Sequence, residues 1–206
     1  HVSIACSQAL VPYFLPERIA AYRLKHPGVT FTVNVRDRRA AEIDLSEFNS
    51  DLALVFEPVQ MVDFEVLGHL PQVIHALMRD DHPLASKPEL RLRDCIDVPH
   101  ILPAPEFGVR ALIDIALSGS TRRAQPSVES GSFDFMRHYV QHENVIAFQI
   151  PIGLRPREGD GLVARPISTR DIPAGALILG QRRGRSLPVA SAKFAQDLIV
   201  TLEMMQ

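Results

Sequence analysis

The sequence predicts an α/β fold with two Rossmann-like lobes, and three observations favour it. The apolar segment 2–5 is followed by a helical run and a second strand, which is the order of a β-α-β unit. The segment 52–56 is apolar at every position, as in a strand buried on both faces. The alternation of strand and helix returns after residue 81, which indicates a second lobe.

The first β-α-β unit contains a helix whose start is difficult to place. Apolar residues recur every three or four positions over 9–25, and His26-Pro27-Gly28 ends the run. Pro12 and Pro16 remove backbone hydrogen bonds, so we expect a late or irregular start. A strand follows at 29–35. Further along this lobe we predict a helix at 40–48 and strands at 51–56, 64–70 and 73–78.

The second lobe and the return of the chain follow the same pattern. We predict helices at 90–95, 108–117 and 133–142, strands at 98–102, near 127 and at 145–148, an exposed loop at 155–161, a strand at 176–179 and a last helix at 189–202. The predicted boundaries are 1–80 plus 163–206 for lobe I and 81–162 for lobe II.

Composition narrows the possible functions. The net charge of −2 provides no basic face, so we do not expect this segment to bind DNA by itself. Cys6 and Cys95 are far apart without metal-site spacing, which favours buried thiols and a reducing, cytoplasmic location. No apolar run approaches the roughly 20 residues of a membrane span, so no membrane partner is expected.

Motifs for metal or enzyme chemistry are weak. His138 and His142 are four residues apart on a predicted helix beside Glu143, but no third ligand is evident and a solvated helix face is favoured. The turn Ser130-Gly131-Ser132 is interpreted as a helix cap that could also face a ligand. The sequence contains no G-x-S-x-G, P-loop or G-x-G-x-x-G motif, so no cofactor is expected.

The predicted ligand site follows from strand order. Ligands of α/β sheets bind beyond the carboxyl ends of the strands, which places Ser7 and the N–H groups of Gln8 and Ala9 at the site. Arg36, after the second strand, could pair with a carboxylate, although a surface arginine beside Asp37 is the alternative. For the second lobe we predict contacts from the loop Ala104-Pro105 and the turn Ser127-Val128. Phe56, Phe107 and Phe148 are predicted to offer apolar surface.

Four stretches, in this order and spacing, carry a family resemblance. They are Leu15-Pro16 followed by 22–29, Ser50-Asp51-Leu52-Ala53-Leu54, Asp81-His82-Pro83-Leu84-Ala85 followed by Leu92-Arg93-Asp94, and 140–151. Together they resemble the effector-binding domain of LysR-type transcriptional regulators over essentially the whole chain.

The resemblance implies a fold like type 2 periplasmic binding proteins, with a small effector between the lobes. It also implies a homodimer or homotetramer that binds DNA only through an N-terminal winged helix-turn-helix, which we expect in about 85 further residues. We expect pairing through the first helix near 19–23 and the strand at 51–56 or its flanks. The effector is predicted to be a small organic anion, most simply a carboxylate.

Two other functions remain open at this point. A transport solute-binding protein would share the fold but would need a secretion signal. A two-lobed enzyme would need an acid, base or nucleophile set, which Ser7, Arg36, Ser127 and Gln149 do not supply.

Overall fold

A computed structural model describes residues 1–60, 62–121, 123–155 and 159–206. It divides the chain into two units, His1–Pro71 with Ala176–Gln206 (unit 1) and Gln72–Gly175 (unit 2). In chain order the elements are β1 (Val2–Cys6), a 3₁₀ helix (Gln8–Leu10), α1 (Phe14–Lys25), β2 (Phe31–Val35), α2 (Arg38–Ser46), β3 (Leu52–Phe56), β4 (Phe64–Gln72), β5 (His75–Arg79), α3 (Leu92–Ile96), β6 (His100–Pro103), α4 (Gly108–Ser118), β7 (Val128–Ser130), α5 (Phe133–His142), β8 (Ile146–Gln149), a 3₁₀ helix (Pro151–Gly153), β9 (Leu162–Pro166), β10 (Gly175–Arg182) and α6 (Val189–Met204).

Unit 1 is built on a five-stranded mixed sheet with the order β2-β1-β3-β10-β4. β1 runs parallel to β2 and β3, whereas β10 runs antiparallel to β3. β3 lies at the centre of this sheet and is buried at every residue, as its all-apolar sequence predicts. The expected late helix start is confirmed, because a 3₁₀ helix and a turn precede α1 and Pro16 lies in its first turn, where no backbone donor is needed.

Asp51 fixes the amino end of β3 in unit 1. Its carboxylate is buried and accepts hydrogen bonds from the Ser3 backbone N–H (3.1 Å), the Ser191 hydroxyl (2.8 Å) and the Arg185 guanidinium (2.7 Å). The Asp51 N–H in turn donates to the Ser3 hydroxyl at 2.9 Å. Burial opposes ionisation, but these hydrogen bonds and the charge of Arg185 outweigh it and hold the pKa of Asp51 below its ordinary value.

Unit 2 is built on a second five-stranded mixed sheet, with the order β7-β6-β8-β5-β9. β6 is parallel to β7 and β8, and β5 is antiparallel to β8 and β9. The predicted lobe boundaries are therefore displaced, since β5 and most of β9 fall within the predicted lobe I. Both strands pair in the second sheet, and an apolar run does not indicate which sheet it will join. Of the predicted loop 155–161, residues 156–158 lie outside the described part of the chain.

Candidate functional site

The carboxyl ends of β1, β2 and β3 meet at one edge of the unit 1 sheet because these strands are parallel. The Ser7 N–H donates to the Leu54 carbonyl at 3.0 Å, and the Arg36 N–H donates to the Cys6 carbonyl at 3.0 Å. Ser7 and Arg36 therefore leave neighbouring strands at the same edge. The predicted contacts of the first lobe are brought together here.

The Ser7 hydroxyl is oriented by the backbone of β3. Its oxygen accepts a hydrogen bond from the Phe56 N–H at 3.1 Å. Ser7 has extended backbone angles, and its side chain makes no capping bond to the 3₁₀ helix that follows. No described residue accepts the Ser7 hydroxyl proton, so this proton can be donated to a ligand.

The residues near Ser7 differ in how far a ligand could reach their side chains. Ala9 is 2% exposed, so it can offer a ligand only its backbone N–H, whereas Gln8 is half-buried. Phe56 is 3% exposed. The prediction that the Phe56 ring forms a ligand-contacting surface is therefore wrong. Phe56 ends a central strand whose side chains all enter the core, and its contribution to this edge is the backbone N–H that holds Ser7.

Arg36 is already paired within unit 1. Its Nε donates to Oδ2 of Asp44 at 2.8 Å, and its Nη1 donates to the Val35 carbonyl at 3.3 Å. Its partner is Asp44 rather than Asp37, because Asp37 caps α2 by accepting from the Ala40 N–H at 2.8 Å. The Arg36 side chain is still 41% exposed, so a ligand carboxylate could share its charge.

The carboxyl edge of the unit 2 sheet is formed by β6, β7 and β8. Pro103 is aligned with Ser130, and the Ala104 N–H donates to the Ser130 carbonyl at 2.9 Å. Ala104 therefore lies at this edge as predicted, followed by the exposed Pro105.

Ser127 and Val128 lie at the opposite end of the same strands. The Ser127 N–H and hydroxyl both donate to the His100 carbonyl, at 2.9 and 3.1 Å, and His100 begins β6. At about 3.3 Å per residue, the three positions from His100 to Pro103 separate the two edges by roughly 10 Å. The prediction that groups Ser127 and Val128 with Ala104 is wrong, because β7 begins at Val128 instead of ending there.

Phe148 and Phe107, the two aromatic residues predicted to offer ligand surface in unit 2, pack against other rings. Phe148 is fully buried in β8, where its ring meets the His100 ring with centroids 6.3 Å apart, so it is a core residue and not ligand surface. Phe107 is half-buried and packs edge-on against Phe133, with ring centroids 5.1 Å apart. The apolar surface predicted for a ligand is thus largely part of the core.

Gln149 lies at the unit 2 edge, where the sequence had suggested it only for an enzyme's residue set and not as an effector contact. It ends β8, is 5% exposed, and its Oε1 accepts from the Ile150 N–H at 2.9 Å. Its Nε2 has no hydrogen-bond partner among the residues of the described ranges. The signal in the sequence was a polar residue closing an apolar strand. Nearby, the Ser132 hydroxyl accepts from the Phe135 N–H at 3.1 Å, which confirms the helix-cap interpretation of that turn.

The remaining titratable candidates have structural contacts. Nδ1 of His138 hydrogen-bonds to the Asp134 carbonyl at 2.8 Å, and Glu143 accepts from the Tyr139 hydroxyl. Over the ranges that the structure describes, no group of three histidine, cysteine or acidic residues could hold a metal ion. In the same ranges, no helix has the length and apolar character required to cross a membrane.

Both thiols are free and buried, Cys6 in unit 1 and Cys95 in unit 2. Burial raises the pKa of each thiol to about 12. Since the thiolate is the reactive form, neither cysteine is suited to nucleophilic or redox chemistry.

Comparisons with known proteins agree with this architecture. Residues 1–199 match the family model described as LysR substrate binding domain. The chain is 26% identical over 98 residues to the RuBisCO operon transcriptional regulator of Acidithiobacillus ferrooxidans, covering 48% of this chain and 32% of that protein. It is 20% identical over 128 residues to the HTH-type transcriptional activator CmpR of Synechocystis, covering 62% of this chain and 42% of that protein. The matches span less than half the length of either relative.

Solved structures show the same fold over nearly the whole chain. The CcmR regulatory domain of Synechocystis PCC6803 in complex with 2-PG has a TM-score of 0.87 at 19% identity, covering 99% of this chain and 98% of that one. The effector binding domain of QuiR in complex with shikimate has a TM-score of 0.82 at 17% identity, covering 98% of this chain and 97% of that one. Both units thus belong to a fold of the type 2 periplasmic-binding-protein kind.

Proposed function

Because the chain belongs to the LysR substrate binding domain family, we propose that it detects a small organic anion, most simply a carboxylate. It is an effector-sensing regulatory domain of a LysR-type transcriptional regulator. A role as a transport solute-binding protein is not favoured, since the relatives with matching sequence are named as transcriptional regulators.

The observation that carries the proposal is the Ser7 hydroxyl. Its oxygen accepts from the Phe56 N–H, and no residue that the structure describes accepts its proton, so the proton is available to a ligand. A carboxylate is a charged acceptor, and a hydrogen bond to a charged group contributes about 1.5 to 3 kcal/mol. The QuiR domain holds shikimate, itself a carboxylic acid, which supports an anion in this family.

Neighbouring groups can complete an anion site on unit 1. Gln8 and Ala9 follow Ser7 directly and would contribute backbone N–H donors. Arg36 is proposed as a second anchor, with its guanidinium shared between Asp44 and the ligand. Because Arg36 is half-exposed and already paired, we expect its contribution to be smaller than that of Ser7.

On unit 2 we propose Ala104, Pro105 and Gln149 as ligand contacts. All three follow or end parallel strands at one edge of the sheet. The Gln149 amide is 5% exposed, and its Nε2 donates to no residue of the described ranges, so it would suit an oxygen acceptor.

The assembly of the full-length protein is also a proposal. With a net charge of −2, this chain would leave DNA contact to a helix-turn-helix elsewhere in the protein, in a cytoplasmic homodimer or homotetramer that is not an enzyme. We propose pairing through α1, where Leu24 is 86% exposed. β3 is withdrawn from the predicted interface because it is buried at the centre of its sheet.

A binding screen with a matched variant tests the function. Wild-type protein is screened by thermal shift against a panel of carboxylic acids that includes shikimate, and binders are measured by calorimetry. We expect Ser7→Ala to lower the affinity for a carboxylate by about 10- to 150-fold, because one charge-assisted hydrogen bond is lost. Ser46→Ala removes an exposed hydroxyl in the same unit and should leave the affinity unchanged. Binding only of cations, or equal affinities for Ser7→Ala and wild type, would overturn the proposal.

A further inference from the structure

Unit 2 contains a cavity of about 300 Å³ that shares no residue with the proposed effector contacts. Its floor is formed by β5 and β9, and its walls come from Arg137 of α5 and from Pro151, Leu154, Arg155 and Asp160. The volume is at the lower end of the range found for small-molecule sites. The cavity can therefore accommodate a single small ring.

The floor is apolar because of the register of β5 and β9. Leu77 is aligned with Ala164, and Arg79 with Leu162, so Leu77, Leu162 and Ala164 share one face of the sheet. His75 lies on this face as well. Leu154 adds an apolar wall. A ring placed here would contact aliphatic side chains on two sides.

A half-buried ion pair lies at the wall of the cavity. Nη2 of Arg137 donates to Asp160, and the two side chains are only 15% and 11% exposed. The same Nη2 donates to the Arg155 carbonyl at 3.4 Å, and Oδ1 of Asp160 accepts from the Leu162 N–H at 3.0 Å. Asp160 thus cancels the charge of Arg137. In the described part of the chain, no hydrogen bond is made by Nε or Nη1 of Arg137, which leaves donors for an uncharged acceptor.

His75 supplies an acceptor to the same cavity. Its Nδ1 lies 2.9 Å from the Val73 carbonyl, and since a carbonyl can only accept, Nδ1 carries the proton. Burial lowers the pKa of His75, which keeps the ring neutral at pH 7. Its Nε2 then carries a lone pair, and no residue of the described ranges donates to it.

We propose that this cavity is a second ligand site, which binds a small uncharged aromatic compound bearing a hydroxyl group. The hydroxyl would donate to Nε2 of His75 and accept from Arg137, and the ring would pack on Leu77 and Leu162. Arg155 and Arg165 also line the cavity, so charge alone does not exclude a carboxylate. A carboxylate fits less well because it has no proton to donate to Nε2 of His75. The need for a hydroxyl donor therefore distinguishes this site from the anion site proposed at Ser7.

Titration of the isotope-labelled chain with phenol, benzoate and toluene tests this site by NMR. Phenol should give saturable shifts at the amides of His75, Leu77 and Ala164, with a higher affinity than the other two compounds. His75→Leu should weaken the binding of phenol by about 2- to 12-fold, which corresponds to the loss of one neutral hydrogen bond. The affinity for toluene should be unchanged.

A second variant fills the cavity. Ala164→Phe, at a half-buried position, should abolish the phenol shifts, whereas Ile115→Phe adds the same ring on an exposed face of unit 2 and should not. Neither variant should change carboxylate binding at Ser7, which separates this proposal from the effector site. Three results would overturn it: phenol binding retained in Ala164→Phe, benzoate binding as tightly as phenol, or no saturable phenol shift in wild type. If Ala164→Phe does not fold, the comparison of phenol with toluene in His75→Leu decides.

Discussion

Replacing Asp51 by asparagine should destabilise unit 1 without enlarging or emptying its core. Oδ2 of Asp51 accepts from Ser3 and Ser191, and Oδ1 accepts from Arg185. An asparagine can keep its oxygen toward Ser3 and Ser191, but its NH₂ group then faces the Arg185 donor. The variant loses one charge-assisted hydrogen bond and weakens two others.

The magnitude follows from these bonds. A hydrogen bond to a charged group contributes about 1.5 to 3 kcal/mol, and a neutral one about 0.5 to 1.5 kcal/mol. Arg185 is 21% exposed and can recover some hydration, which reduces the cost. We expect a loss of about 2 to 4 kcal/mol in the free energy of unfolding at pH 7. Urea unfolding followed by circular dichroism should show a lower midpoint with an unchanged slope.

The pH dependence of the free energy of unfolding provides a second test of the Asp51→Asn prediction. Because the folded-state pKa of Asp51 is lowered, its stabilisation is present above the unfolded-state pKa, near 3.9, and is lost as pH falls through the folded pKa. The difference between wild type and Asp51→Asn should therefore shrink below about pH 4. Asp114→Asn, which removes an exposed partner of Arg110, should cost less than about 0.5 kcal/mol. Equal costs for the two variants at pH 7 would show that the buried hydrogen bonds of Asp51 do not stabilise unit 1.

Two further predictions concern buried positions. Burial raises the pKa of Cys6 and Cys95 to about 12, so iodoacetamide at neutral pH should alkylate the native protein at least about a hundredfold more slowly than the urea-unfolded protein; comparable rates would show that the thiols are accessible. A Cβ at Gly180 would overlap the buried Phe64 ring, so Gly180→Ala should cost about 1 to 3 kcal/mol in urea unfolding. Gly131→Ala, with open space around the added carbon, is the control, and an equal cost there would contradict the packing argument.

Local signals predicted the elements well and the strand pairing less well. The helix α5 occupies the predicted residues because the Ser132 cap and a 3.6-residue apolar period both mark it. β5 was placed in the wrong lobe because pairing with β8 and β9 depends on residues about 70 to 90 positions away. A run of apolar residues predicts a buried strand without identifying its neighbours.

In the candidate site, too, some residues could be predicted from the local sequence and others could not. Ser7 was predictable because one β-α-β unit fixes it at a carboxyl edge. Ser127 was misplaced because β7 is only three residues long, and an error of a few residues in its bounds moves a side chain to the opposite edge of the sheet. Phe148 was misjudged because an aromatic residue in an all-apolar strand packs in the core.

Amide NMR during titration with a carboxylate found by the thermal-shift screen shows whether an organic anion binds at Ser7. Binding there should give saturable shifts at the amides of Ser7, Gln8 and Ala9, with one dissociation constant equal to that from calorimetry. Saturable carboxylate binding that leaves these three amides unmoved would contradict it.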